Sequence, residues 1–137
     1  KVFDRVVAGS PEDLYPDRTA GLLDVDRNPK PSYYAYQTMT EELAWAQYVR
    51  DGQQTDVEGY VFQMPGGYEK TVLWAEEGVA STTVTFHQTC LRGVDLDGTV
   101  YEPILDGDAV WDHDGTVNSQ IELAVYENEP FYVQPCQ

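Results

Sequence analysis

The pattern of apolar and polar positions changes character near residue 52. Beyond it, apolar side chains recur at every second position, as in Val84 and Phe86 or in Ile121, Leu123 and Val125. A period of two places such residues on one face of a β-strand. The pattern predicts strands at residues 57–64, 70–75, 81–88, 93–96, 99–105, 109–111, 120–126 and 131–134.

The connections between these runs carry turn chemistry. Asp-Gly pairs stand at residues 97–98, 106–107 and 114–115, and a Gly pair follows Pro65. Asp-Gly between apolar runs is a strong hairpin signal because both residues tolerate the positive φ of tight turns. About eight short strands at regular spacing therefore predict a mainly β chain built as an antiparallel β-sandwich.

One long helix is predicted ahead of the strands. Pro31 fixes its entry, Ser32 is placed to cap it, and it is expected to run to about Arg50, before Asp51 and Gly52 end it. Its apolar face, at three- and four-residue spacing, consists of Ala35, Met39, Leu43 and Ala46. Such an apolar face is expected to pack against another part of a protein.

The amino-terminal region reads as a short strand at residues 1–7 and a surface loop at residues 10–27, which is rich in Pro, Gly and Asp. The predicted domain organisation is therefore a strand-loop-helix unit at residues 1–51 and the sandwich at residues 52–137. The chain starts at Lys1 without Met, which favours a fragment or a processed product over a whole reading frame.

Charge narrows the classes of partner. The formal net charge is −16, from 24 acidic and 8 basic residues, so phosphate backbones and anionic lipid surfaces are repelled. Nucleic acid is therefore the first class of partner to exclude. Membrane insertion is not expected either, because no apolar run approaches the roughly 20 residues of a membrane-spanning helix. An acidic surface also suits adaptation to high salt, which the sequence does not separate from ordinary solubility. Hydrophobic residues make up 42% of the chain, enough for a core.

The cysteines and the Asp-Gly turns raise the question of metals. Cys90 and Cys136 have no metal-ligand spacing; they can form one disulfide or remain two buried thiols. The segments at residues 95–98 and 112–115 resemble fragments of calcium loops, but hairpin turns explain them better because the twelve-residue pattern ending in Glu is absent. No metal site and no cofactor are expected.

Aromatic residues are the candidates for ligand contact. Trp111, beside an Asp-Gly turn, and Tyr101 are placed to stack on sugar faces, whereas Trp74 lies in an apolar run typical of a core or an interface. His87 and His113 have no neighbouring nucleophile motif. Single acidic residues are abundant without forming a recognisable pair, so no catalytic residue is assigned.

Residues 21–52, with Gly-Leu-Leu, a polar turn, Pro29-Lys30-Pro31 and Tyr33-Tyr34-Ala35-Tyr36, resemble the closing strand-loop-helix of the (β/α)8 barrel in many retaining glycoside hydrolases. Residues 57–62, 70–74, 94–98, 121–123 and 129–133 resemble, in order, the sandwich that follows such barrels. The resemblance implies a glycoside hydrolase tail that lacks the catalytic carboxylates, because these belong to earlier barrel strands. It also implies an extracellular or cell-surface location.

Three hypotheses follow from this reading. The first is a non-catalytic carboxyl-terminal region whose sandwich buttresses the catalytic barrel of the same or a companion polypeptide. The second is a stand-alone carbohydrate-binding or cell-surface assembly module. The third is an independent enzyme with an unrecognised carboxylate pair, for which the expected result is no turnover of aryl glycosides.

Overall fold

A computed structural model describes residues 22–24, 26–52 and 54–137. The chain divides into two compact units, Lys1–Glu41 and Glu42–Gln137. In the first unit, Asp24 folds a turn by accepting hydrogen bonds through Oδ1 from the backbone N–H groups of Asp26 and Asn28, both at 2.8 Å. The strand predicted at residues 1–7 and the first part of the predicted loop lie outside the described residues.

The helix, α1, spans Pro31–Glu42 and is shorter than predicted. Pro31 is its first residue, so Ser32 lies inside the first turn and is not the capping residue. The predicted end near Arg50 is wrong because Trp45 takes a left-handed conformation, with φ of 61°, three residues after the helix ends. Leu43 and Ala46 therefore lie beyond the helix, and the predicted four-residue stripe does not form on it.

Eight strands follow, all paired antiparallel. They are β1 Gln47–Asp51, β2 Val57–Gln63, β3 Glu69–Ala75, β4 Ser81–Phe86, β5 Cys90–Val94, β6 Val100–Leu105, β7 Ile121–Tyr126 and β8 Phe131–Pro135. A six-stranded sheet has the order β1-β2-β3-β8-β5-β6, and β4 pairs with β7 in a second sheet. The predicted fold class, a mainly β antiparallel sandwich preceded by a helix, is confirmed for the residues that the structure describes.

Two secondary-structure predictions are wrong, one for a strand and one for the end of the helix. Residues 109–111 form a turn, because the Asp108 carboxylate takes the N–H groups of Val110 and Trp111 away from any sheet partner. Residues 47–50, predicted as the end of the helix, lie in β1 at the edge of the six-stranded sheet. The other predictions hold within a few residues; β5 begins at Cys90, three residues before the predicted start.

The core lies between the two sheets. Val57, Leu73 and Ala75 of the larger sheet pack with Val84 and Val125 of the smaller one. A neighbouring cluster joins Leu91, Ile104 and Val133 to Ile121 and Leu123. Ile121, Leu123 and Val125 are at most 1% exposed, which confirms that they point inward together. The apolar residues at every second position of these strands therefore form the interior of the sandwich.

The six-stranded sheet is apolar on its other side as well. Val72, Val94 and Tyr132 are buried there, and Leu43, Tyr60, Phe62 and Trp74 pack against them. We call this surface the outer face. A sheet that is apolar on both sides is typical of a layer with protein on each side.

A buried ion cluster lies at the margin of the outer face. Lys70 Nζ donates to the Glu42 carboxylate at 2.6 Å and to the Glu42 carbonyl oxygen at 2.9 Å, and Arg92 Nη1 lies 3.2 Å from the same carboxylate. Burial raises the pKa of Glu42, but hydrogen bonds and positive charge from Lys70 and Arg92 outweigh it, and the pKa falls below 4.5.

Candidate functional site

Three aromatic rings meet at one end of the sandwich. The Tyr101 and Trp111 ring centroids are 4.6 Å apart, and Trp111 stacks on Phe131 at 6.2 Å with 20° between the planes. Tyr101 and Phe131 are 6.3 Å apart. All three rings are half-buried and pack on the cluster around Leu91 and Ile104. They form one continuous apolar wall.

The sheet provides the space for this wall. Tyr101 on β6 pairs with Gly93 on β5, and Gly93 also pairs with Val133 on β8. A Cβ atom at Gly93 would stand 2.4 Å from Cζ of Phe131 and 2.6 Å from its Cε2. Only glycine leaves room for the Phe131 ring here.

Tyr101 is fixed by the turn between β5 and β6. Its hydroxyl donates to Asp95 Oδ2 at 2.8 Å, while Asp95 Oδ1 accepts the N–H groups of Asp97 and Thr99, each at 3.0 Å. The hydrogen bond to Asp95, with burial and the Asp95 charge, raises the pKa of Tyr101.

Trp111 is presented by the loop between β6 and β7. Asp108 Oδ1 accepts the N–H of Trp111 at 3.2 Å and that of Val110 at 2.8 Å. The next residue, Asp112, is 3% exposed and accepts the N–H groups of Gly107 at 2.8 Å and Glu122 at 3.0 Å. A buried carboxylate with two backbone donors fixes the loop.

Two further aspartates complete this loop. Asp106 accepts the N–H groups of Asn118 and Ser119, and Asp114 accepts the N–H of Thr116 and the side-chain amide of Asn118. Turn formation thus accounts for the segment at residues 112–115, and Asp95 acts in the same way in the other Asp-Gly segment. In the described part of the chain, no group of three or more His, Cys, Asp or Glu side chains is placed to hold a metal ion.

The wall borders a cavity of about 240 Å³, which we call the aromatic cavity. Its lining includes Asp95, Asp97, Tyr101, Trp111, Glu129 and Phe131. Carboxylates at the rim can accept hydrogen bonds from hydroxyl groups, and the aromatic wall can bury an apolar face. The site is suited to binding an amphipathic ligand.

The two carbohydrate-contact candidates from the sequence, Trp111 and Tyr101, therefore lie in one site, although Trp111 is half-buried. Sequence reasoning missed Phe131 and Asp95. The alternation around β8 signals only that Phe131 faces inward, and the Asp-Gly pair signals only a turn. Trp74 packs on the outer face, and His87 and His113 are both exposed and lie outside this lining.

The cysteines meet across neighbouring strands. Cys90 and Cys136 form a disulfide with their Cα atoms 5.5 Å apart. Cys90 begins β5, and Cys136 follows β8, with which β5 pairs. The bond closes a loop between residues 46 apart in sequence.

A second cavity combines acidic side chains with Trp74. It is lined by Glu58, Trp74, Ala75, Glu76, Glu77, Glu127 and Asn128. Glu127 accepts a hydrogen bond from the N–H of Gly78, which ties one of these carboxylates to a turn.

The fold was compared with known proteins. No protein-family model matches the sequence, and a comparison with curated proteins finds no match. Among solved structures, a family 39 glycoside hydrolase from the gut symbiont Bacteroides cellulosilyticus WH2 matches with a TM-score of 0.69 and 19% identity, covering 95% of this chain and 25% of that one.

Two further structures match less closely. The catalytic domain of the GH30 xylanase C from Talaromyces cellulolyticus has a TM-score of 0.56 and 13% identity over 86% of this chain and 28% of that one. The GH51 arabinofuranosidase from Xanthomonas axonopodis pv. citri has a TM-score of 0.50 and 10% identity, covering 84% and 28%. This chain therefore shares the fold of one segment of these glycoside hydrolases. That segment makes up about a quarter of their length.

Proposed function

We propose that this chain is the carboxyl-terminal region of a glycoside hydrolase, in which the sandwich buttresses a catalytic barrel. The observation that carries the proposal is the coverage: 95% of this chain aligns with 25% of the family 39 enzyme. The amino-terminal part, predicted as residues 1–51, would then supply the last βα unit of the barrel with its residues up to the end of α1, whereas residues 47–51 form β1 of the sandwich. The catalytic carboxylates would lie elsewhere in the parent polypeptide, and none is assigned here.

The surface chemistry of the sandwich supports an attached partner. The outer face is apolar, and the segment beside it exposes Trp45, Tyr48 and Val49, whose exposed fractions are 88%, 58% and 45%. Clustered apolar side chains in water are typical of protein contact sites. A barrel packed on this segment would remove them from water.

The disulfide supports an oxidising location. Disulfides persist outside the cell and are rare in the cytosol. With Cys90 bonded to Cys136, an extracellular or cell-surface location fits the chain. Within the described ranges, no helix has the length and apolar character that crossing a bilayer requires.

A stand-alone carbohydrate-binding or cell-surface assembly module is the second candidate. The aromatic cavity is the observation that favours it, since it joins Trp111 and Tyr101 in one lining. This candidate differs from the first in needing no barrel. An independent enzyme is the third, and it predicts turnover of aryl glycosides by the isolated chain, which we do not expect.

The test extends the chain on its amino-terminal side with the coding sequence that precedes residue 1. The extended polypeptide is expected to hydrolyse aryl glycosides, and Trp45→Asn is expected to lower its melting temperature. Asparagine tolerates the positive φ at this position. In the isolated chain, where Trp45 is 88% exposed, the same change should have little effect.

The matched control is Val110→Asn, because Val110 is 85% exposed but lies on the loop between β6 and β7. It should leave the melting temperature of the extended polypeptide unchanged. An upstream sequence without a barrel would refute the buttress, as would an extended polypeptide in which Trp45→Asn and Val110→Asn behave alike.

A further inference from the structure

We propose that the aromatic cavity binds one neutral sugar ring, with Trp111 and Tyr101 forming the stacking wall and Asp97 and Glu129 accepting hydroxyl groups at the rim. This role goes beyond the buttress and does not depend on it. All residues concerned lie in the unit Glu42–Gln137. The site would retain a glycan on the sandwich itself.

The wall exposes aromatic surface to the cavity, although its rings are not coplanar. Its three centroids lie between 4.6 and 6.3 Å apart, so the rings pack on one another. Trp111 and Phe131 are inclined by 20°, while Tyr101 is tilted by 52° to Trp111 and by 33° to Phe131. An apolar wall of this kind offers area to the C–H face of a pyranose or furanose ring, while the hydroxyl groups at the ring edge remain free for polar partners.

The size of the cavity limits the ligand. Its volume of about 240 Å³ is below the roughly 300–1,000 Å³ of pockets that enclose drug-sized molecules. One ring fits this space better than several consecutive sugars do. A chain end or a single-residue branch is therefore the favoured form of glycan.

The negative charge around the cavity favours a neutral sugar over an anionic one. Asp95, Asp97 and Glu129 all line the cavity, and the whole chain carries −16. This field repels uronates and sugar phosphates. Neutral hydroxyl groups, in contrast, gain charge-assisted hydrogen bonds from carboxylate acceptors.

The wall is rigid before any ligand arrives. Asp95 holds the Tyr101 hydroxyl at 2.8 Å, and Asp108 holds the Trp111 N–H at 3.2 Å. Buried Asp112 fixes the loop directly after Trp111. The Tyr101 side chain and the backbone at Trp111 are therefore already ordered, which lowers the entropy cost of binding a small ligand.

Aromatic rings beside carboxylates are also the chemistry that recognises quaternary ammonium cations. A cation cage surrounds its ligand with rings that face a shared centre. Here the rings contact one another and form one side of the cavity, which favours a flat face over a sphere. Tetramethylammonium is therefore the discriminating probe.

The experiment titrates the full chain with methyl glycosides of neutral hexoses and pentoses while its backbone amide NMR signals are followed. At least one glycoside is expected to bind with a Kd on the order of 1 mM and to shift signals of residues 95–101, 111, 129 and 131. Trp111→Ala should weaken binding by at least roughly tenfold. Trp45→Asn, a change at a tryptophan that is 88% exposed and outside the cavity, should leave Kd unchanged.

Glu129→Gln keeps the test valid if Trp111→Ala disturbs folding, because Glu129 is an exposed rim residue. It should weaken glycoside binding several-fold at an unchanged melting temperature. The proposal is overturned if no neutral glycoside binds, if tetramethylammonium binds in their place, or if Trp111→Ala and Glu129→Gln both bind like wild type. Each readout uses this chain alone, so the outcome is independent of any barrel.

Discussion

The Phe131 ring occupies the volume that a side chain at Gly93 would need. An ideal Cβ on Gly93 would lie 2.4 Å from Phe131 Cζ and 3.2 Å from Ile104 Cδ1. Gly93 is buried in the middle of β5, where glycine is otherwise unfavourable. The aromatic wall therefore depends on a missing methyl group in the sheet beneath it.

Gly93→Ala is expected to destabilise the fold by about 1–3 kcal/mol, the usual cost of overpacking a core. The added methyl group must displace the Phe131 ring, which in turn moves away from Trp111. Urea unfolding gives the free energy, and the glycoside titration gives the effect on the site.

The double variant Gly93→Ala/Phe131→Leu checks the cause. If the clash with Phe131 is responsible, the two changes should be less than additive, because the smaller side chain leaves room for the methyl group. Strict additivity would contradict this explanation.

Lys70→Met is expected to cost up to about 3–5 kcal/mol, since it removes the main partner of the largely buried Glu42 carboxylate and leaves it with Arg92 alone. The side chains of Lys70 and Glu42 are only 5% and 13% exposed. Chemical denaturation measures the loss. The structure offers a matched control in Arg50, which pairs with Glu69 at 2.8 Å on the surface.

Arg50→Met breaks an ion pair whose side chains are 56% and 44% exposed. Water already solvates these charges, so the expected loss is about 0–1 kcal/mol. Equal losses in the two variants would mean that burial does not strengthen the Lys70 pair.

The stability of the fold should depend on the ionisation of Glu42. Its folded-state pKa is lowered below the ordinary 4.5, so the unfolded chain takes up the proton first as the pH falls. The contribution is fully present above the unfolded pKa and is lost as the pH falls through the folded pKa. Glu42→Gln should therefore show a shallower loss of unfolding free energy than wild type below pH 4.5; parallel curves would contradict this.

Asp112→Ala is expected to cost about 1–3 kcal/mol, because two backbone N–H groups lose a buried acceptor. It should also weaken glycoside binding, since Trp111 precedes it. Asp114→Ala is the control, as Asp114 is exposed and bonds within the loop. Melting temperatures and the titration distinguish the two, and equal effects would show that Asp112 has no special role.

The disulfide is expected to contribute about 3–4 kcal/mol, mainly by restricting the unfolded chain. Cys90→Ser/Cys136→Ser should therefore unfold at a lower urea concentration. Adding a reductant should lower the wild-type midpoint and leave that of the double variant unchanged. A wild-type midpoint insensitive to complete reduction would refute this.

Most of the sandwich could be predicted from sequence because alternating residues such as Ile121, Leu123 and Val125 need one buried face. The strand predictions failed where apolar residues are exposed and do not point into the core. Val110 is 85% exposed, so its hydrophobicity carries no information about a strand. The residues of β1 are all exposed, and an exposed edge strand leaves no alternation for the pattern to detect.

The site could be predicted only in part. Trp111 and Tyr101 were identified by residue type and by the neighbouring turns. Phe131 reaches them through strand pairing over about thirty residues of sequence, and its place depends on Gly93. Such a contact depends on register, which local patterns do not specify.

In the loop between β6 and β7, the residues that fix the backbone differ from the residue that contacts the ligand. Asp106, Asp108, Asp112 and Asp114 fold it by accepting N–H groups. Trp111 contributes to that frame only its backbone N–H, which any residue except proline can supply. A single exchange at Trp111 can therefore alter what the cavity recognises while the loop keeps its path, so ligand preference is free to diverge without a new scaffold.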